Sequence, residues 1–211
     1  GLRAFDETDQ DFFLTLLPGP VDRTGLPESI RFWKTQIEQK DRDKTFSVGL
    51  LYGPSGCGKS SLVRAGLMPQ LADSVYPVYV ETTPDQTEAR LLRALQRACP
   101  SVAGEHTLVG AVMMLRQQRC FPEGTDKLVL FLDQFEQWLH AHRTEPGAEL
   151  IQALRQCDGE SVQAVISVRD DFWLGISRFF RALEIEIVEG RNSALVDLFD
   201  LRHATRVLGA F

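Results

Sequence analysis

Residues 46–60, FSVGLLYGPSGCGKS, constrain this chain more than any other stretch. The apolar run from Phe46 to Tyr52 reads as a strand buried on both faces, and Gly53 stops it. Glycines then fall at 53, 56 and 58, and KSSLVRAGLMPQL follows at helical spacing. Glycine there lets the backbone curl so that successive N–H groups point inward where a helix begins, which makes an anion cradle. The spacing G-x-x-x-x-G-K-S is complete, and the strand before it and helix after it supply the context that it needs. Gly53, Pro54, Ser55, Gly56, Cys57, Gly58, Lys59, Ser60 and Ser61 are therefore the candidate phosphate-binding residues. Lys59 would reach the β- and γ-phosphates, and the Ser60 hydroxyl would bind Mg²⁺. Cys57 is either a small filler or a thiol activated beside the helix start.

The rest of the chain alternates in the same way. Strands are expected at 76–81, 127–133 (KLVLFLD), in VQAVISVR from 162, and at 193–201. Helices are expected over 28–40, after a cap at Thr83 or Asp85, over 105–119, 147–157 and 174–184, and again from Arg202. Continuous apolar strands separated by helices predict an α/β fold with a mainly parallel five-stranded sheet covered on both faces. Ligands of such sheets sit at the carboxyl ends of the strands. The organisation expected is an N-terminal extension over 1–45, a core over 46–201, and the start of a truncated helical lid over 202–211.

Two acids close the third strand in LVLFLDQFEQWL. Asp133, at the strand end, is the candidate Mg²⁺ holder. Many ATPases with this phosphate loop place a water-activating acid directly after the metal acid, and here Gln134 stands there. Residues three apart share a helix face, so Glu136 returns to the edge that carries Asp133 and is the candidate general base. Its alternative is a first-turn glutamate favoured by the helix dipole. Arg169 closes the fourth strand and could read the γ-phosphate, or else pair with Asp170 or Asp171. His140 and His142 read as surface, and Trp33, Trp138 and Trp173 as core.

Net charge is −6, which argues against a strongly basic nucleic-acid binder. No apolar run reaches the ~18 residues of a membrane span, and the N-terminal GLRAFDETDQ is not a signal peptide. Four cysteines without CxxC spacing suggest reduced thiols and a cytoplasmic setting.

GLRAFDETDQDFF, GPSGCGKSSLVRAGLMPQL, LVLFLDQFEQWL and AVISVRDDF together resemble the novel STAND NTPases, AAA+-related signal-transduction ATPases often joined to WD-repeat or kinase domains. The resemblance covers roughly residues 1–205. It implies the three-layer α/β/α sandwich of P-loop NTPases, with ATP/ADP and Mg²⁺ as cofactors. Asp133 matches the Walker B acid, Glu136 the acid three residues on, and Arg169 the strand-end arginine called sensor one. The family's G-R-E motif near the adenine has no counterpart, so the base-contacting residues stay unassigned. A slow ATP-hydrolysing switch follows as the expectation. Its partners would be attached sensor or effector domains, a nucleotide-dependent oligomer and no membrane, with nucleic acid unlikely. The alternatives are a binding-only nucleotide module, a DNA-associated AAA+ ATPase and a small-molecule phosphotransferase.

Overall fold

The computed structural model describes residues 5–142, 147–198 and Thr205. Five strands, β1 (Val48–Gly53), β2 (Val75–Glu81), β3 (Lys127–Asp133), β4 (Val162–Arg169) and β5 (Ser193–Leu195), form one sheet in the order β2-β3-β4-β1-β5. Every neighbouring pair is parallel, so helices must cover both faces. On one face α4 (Thr87–Ala98), α5 (Leu108–Gln118), α6 (Glu136–Ala141), α7 (Glu149–Leu154) and α8 (Trp173–Leu183) bury Leu128, Leu130, Leu132, Ala164 and Ile166. On the other, α1 (Gln10–Leu16), α2 (Glu28–Glu38) and the helical segment after β1 bury Leu51, Val129, Phe131 and Val165. The period of two along each strand sorts side chains between these two cores.

α2 shows why the N-terminal residues belong to this packing. Ile30, Trp33 and Ile37 follow helical spacing and are at most 1% exposed. Each contributes roughly 1.5–3 kcal/mol of apolar burial. The close approach needs Gly66 beneath it, because a Cβ there would sit 2.6 Å from Ile30 Cδ1.

The helix expected from Lys59 is not regular. It opens as an α turn, α3 (Lys59–Ser61), widens into a π stretch over Leu62–Leu67 and tightens into a 3₁₀ turn over Met68–Gln70. Pro69 lies in that last turn and cannot continue an α-helical ladder. α4 starts at Thr87, later than a cap at Thr83 or Asp85 requires, with Gln86 as its N-cap. Thr83 still serves the turn, its Oγ1 accepting from Gln86 N at 3.2 Å. β5 is much shorter than 193–201 because it pairs with β1 only over Leu50–Tyr52. Residues 199–201 and the helix expected from Arg202 lie outside the described residues, Thr205 apart. Trp33 and Trp138 are core, but Trp173 is 44% exposed, its ring 5.2 Å from that of Tyr52. The four cysteines are free thiols.

Candidate functional site

β1 delivers the glycine loop to the carboxyl edge of the sheet, between β4 and β5. Gly53 is the tightest point. A Cβ there would lie 1.9 Å from the carbonyl oxygen of Val196, just beyond β5, so only glycine fits. Gly56 and Gly58 adopt φ of 77° and 92°, left-handed values that side chains resist. The curl that results brings Leu62 N to Gly58 O at 2.8 Å and opens the helix. Lys59 folds over its own loop, donating from Nζ to Gly53 O at 2.8 Å and Pro54 O at 2.7 Å, with Cys57 Sγ at 3.6 Å. Ser55 and Gly56 are exposed and Ser60 is half-buried. Ser61 is committed elsewhere, because its Oγ accepts from Phe5 N at 3.1 Å. Its side chain therefore ties the N-terminal segment to the loop.

Asp133 ends β3 and is 2% exposed. Val129 and Phe131 face the helix that follows the glycine loop, and the alternation of the strand puts Asp133 on that same face. Its Oδ2 accepts from the Tyr79 hydroxyl at 2.6 Å. Burial first, and then the neighbouring Asp133 carboxylate, push the Tyr79 phenol well above its usual pKa. Arg64, in the π stretch, lies over the Tyr79 ring at 5.5 Å. On the other side of Asp133 stands Ser167, one step beyond the Leu132↔Ile166 pair of the β3–β4 ladder. The Ser167 hydroxyl is buried and has no hydrogen-bond partner among the described residues.

The turn after Asp133 places Glu136. Gln134 takes φ of 53°, a left-handed conformation that costs a side chain roughly 1–2 kcal/mol. Thr82, at the end of β2, holds it there. Thr82 N donates to Asp133 O at 2.9 Å and Thr82 Oγ1 to Gln134 O at 2.7 Å. The bend lets Phe135 N reach Ser167 O at 2.9 Å and leaves the Gln134 side chain exposed. Glu136 then opens α6, its Oε2 accepting from Arg169 N at 3.3 Å. Since Gly53 pairs with Arg169 in the β1–β4 ladder, Glu136 sits beside the strand end that faces the start of the glycine loop.

Arg169 contributes its backbone here rather than its side chain. The guanidinium pairs with both carboxylate oxygens of Asp171, at 3.1 and 2.5 Å, and lies 5.7 Å from the centre of the Phe172 ring. His140 is exposed and His142 stacks on Trp138. Among the described residues no group of three or more His, Cys, Asp or Glu side chains is gathered as a metal site.

The sequence alone gave no hint of Tyr79, Thr82 or Ser167, since each acts across the sheet on a residue remote in the chain. It also gave none of the apolar cavity beside the loop. That cavity, of about 170 Å³, is lined by Phe13, Leu17, Ser29, Gly58, Leu62 and Val196 among others. Its walls come from α1, α2, the loop and the segment after β5, so no local pattern encodes it.

A family model described as Novel STAND NTPase 1 matches residues 1–200. No curated protein matches the chain. Among solved structures, a Walker-type ATPase of Pyrococcus abyssi superposes with a TM-score of 0.60 at 14% identity, over 93% of this chain and 61% of that one. The Drosophila ORC bound to DNA gives 0.61 at 16%, over 97% and 49%. The Aeropyrum pernix ORC2 protein in ADPNP–ADP complexes gives 0.61 at 16%, over 92% and 52%. The chain thus spans only half to three-fifths of the length of these structures, and the likeness is one of fold. It overturns the expectation that nucleic acid is an unlikely partner. The fold is shared with a DNA-bound assembly, and a net charge of −6 says nothing about any one face. No helix of the described residues is long and apolar enough to cross a membrane.

Proposed function

The chain belongs to the novel STAND NTPase 1 family, and on that premise we propose that it binds Mg-ATP and hydrolyses it slowly as the switch module of a signalling protein. The observation that carries this reading is a convergence. The glycine loop, Asp133 and Glu136 meet at the carboxyl edge of the adjacent strands β1, β4 and β3, in the register Gly53↔Arg169. Strand-end edges of open α/β sheets are where ligands bind.

The loop N–H groups would take the phosphates, and Lys59 would exchange its two carbonyl acceptors for phosphate oxygens. The residues fit a divalent cation, since a buried carboxylate and an unpartnered buried hydroxyl, those of Asp133 and Ser167, stand side by side facing the loop helix. Ser60 and Asp133 would hold Mg²⁺, whose chemistry there is to neutralise charge on the β- and γ-oxygens. Glu136, anchored by Arg169 N, would orient the attacking water and accept its proton. Arg169 can reach a phosphate only by leaving Asp171. Exposed pairs of this kind are worth ~0–1 kcal/mol, so the exchange costs little. The base would enter the apolar cavity between Phe13, Leu17 and Val196. Because that cavity joins N-terminal helices to the segment after β5, nucleotide there would bias how attached domains sit, as a two-state switch requires.

Calorimetric titration and single-turnover hydrolysis test the reading together. Lys59→Ala should lose most nucleotide affinity, since charge-assisted contacts to phosphate are worth ~1.5–3 kcal/mol each. Asp133→Ala should weaken Mg-ATP binding and turnover together. Glu136→Gln should bind normally and hydrolyse roughly 10²–10⁴-fold more slowly, the share of a general base. Full affinity in the lysine variant sinks the phosphate loop. Full turnover in the glutamine variant removes Glu136 from the chemistry.

A second reading, association with nucleic acid, has its own observation. Arg90, Arg93 and Arg97 lie exposed along α4 and line a shallow cavity of about 230 Å³ beside the edge strand β2. Among the described residues Arg93 and Arg97 have no ion pair. Fluorescence anisotropy with a labelled oligonucleotide should then show salt-dependent binding that the Arg93→Glu, Arg97→Glu double variant abolishes. Binding indifferent to that change, or none at low salt, removes this reading.

A further inference from the structure

Among the described residues the Asp133 carboxylate takes its hydrogen bond not from the glycine loop but from the neighbouring edge strand. Three contacts reach the Asp133 turn from β2 and the residue after it. These are the Tyr79 hydroxyl on Oδ2 at 2.6 Å, Thr82 N on Asp133 O at 2.9 Å and Thr82 Oγ1 on Gln134 O at 2.7 Å. Only the first touches the carboxylate. Tyr79 itself is held from the loop side, because Arg64 of the π stretch after α3 lies 5.5 Å over its ring. The segment that follows Lys59 and Ser60 thus packs on the ring, and the ring's hydroxyl engages one oxygen of Asp133. With one site on Oδ2 taken by the tyrosine, Oδ1 is the oxygen with no hydrogen-bond partner among the described residues. On the far side of Asp133 stands the unpartnered hydroxyl of Ser167.

We propose that Tyr79 is a positioning residue for the cation site. By donating to Oδ2 it sets the Asp133 rotamer and leaves Oδ1 for the cation that Asp133 and Ser60 would hold. This rests on the reading of Asp133 as the metal-holding acid. Groups that orient a metal ligand without touching the metal commonly change metal affinity about 10- to 100-fold when lost. A structural tyrosine at an edge strand would instead change stability and leave the metal response alone.

The experiment measures the affinity of N-methylanthraniloyl-ATP by fluorescence, in EDTA and across a Mg²⁺ titration. It uses wild type, Tyr79→Phe, Tyr79→Leu and Asp133→Asn, each checked for folding by thermal melting. Tyr79→Phe keeps the ring under Arg64 and removes only the donor. Its affinity in EDTA should match wild type, while the Mg²⁺ concentration giving half the metal-dependent gain should rise about 10- to 100-fold. Asp133→Asn should lose that gain altogether. If Asp133→Asn loses the gain and either folded Tyr79 variant keeps it at the wild-type Mg²⁺ concentration, the inference is overturned and the functional reading stands. If Asp133→Asn itself keeps the gain, the assignment of Asp133 fails and this inference falls with it. Equal loss of affinity with and without Mg²⁺ in the Tyr79 variants also overturns it, because the hydroxyl would then serve the loop rather than the metal.

Discussion

Cys57 shows at the scale of one residue how burial revises chemistry. Beside a helix start and a lysine it has the surroundings of an activated thiol, yet it is only 8% exposed. Burial pushes the Cys99 thiol up to about 11 and that of Cys157 to about 12, so neither supplies thiolate near neutrality. Cys120 is the most exposed of the four. A brief maleimide pulse at neutral pH, read by peptide mass spectrometry, should therefore label Cys120 first. Cys57 should follow slowly and be protected by Mg-ATP. Labelling of Cys57 ahead of Cys120 would show that the loop opens faster than this packing allows. Cys57, Lys59 and Asp133 were legible as candidates because their motif is local. Tyr79 was not, because its partner lies 54 positions along the chain and meets it only when β2 pairs with β3.

At the scale of elements, the glycine loop packs on the segment after β5 as well as continuing from β1. Val196 N donates to Tyr52 O at 2.7 Å, and the Val196 carbonyl oxygen fills the place where a Gly53 side chain would be. Gly53→Ala should push the segment after β5 off β1. Overpacking of this kind costs roughly 1–3 kcal/mol. The same shift should open the apolar cavity whose wall is Val196, so nucleotide affinity should fall with the melting midpoint. An unchanged midpoint in a thermal melt, or a midpoint lost with affinity intact, would separate the loop from β5. The motif spacing requires a glycine at 53 for the tight turn. That the close neighbour is the backbone beyond β5 followed from the sheet order alone.

Across the whole molecule, the end of the sheet away from the loop is closed by a buried cation. Lys127 is 2% exposed, its Nζ donating to Gly159 O at 2.6 Å and to Gln39 O at 3.2 Å. It thereby ties the residues after α2 to the turn before β4. Burial lowers its pKa to about 8 from 10.5. Between those values the unfolded chain binds more protons than the folded one, so the contribution of Lys127 to stability rises with pH through that window. Below pH 8 both states are protonated and the full burial cost remains. Tyr79, Cys99 and Cys157, all raised by burial, pull the other way above their unfolded values. The difference between wild type and Lys127→Met cancels them. Urea unfolding at pH 7.5, 8.5 and 9.5 should show wild type gaining on the variant by up to ~1.4 kcal/mol per pH unit above 8. A flat difference would mean that Lys127 reaches water.

What the sequence determined by itself was whatever lies within one element and its cap. The apolar runs ending at Gly53, Asp133 and Arg169 specify buried parallel strands, and the spacing 53–60 specifies a left-handed glycine turn into a helix start, because these depend on backbone geometry over a few residues. The three-residue step from Asp133 to Glu136 was legible too, since a helix start returns to the same edge. Only the tertiary structure decided that Gln134 bends left-handed under Thr82, that Arg169 turns to Asp171, and that Tyr79 and Ser167 flank Asp133. Those outcomes depend on strand register, where a slip of one residue would send each side chain to the opposite face. Register is set by both cores at once, and no segment of the chain carries it alone.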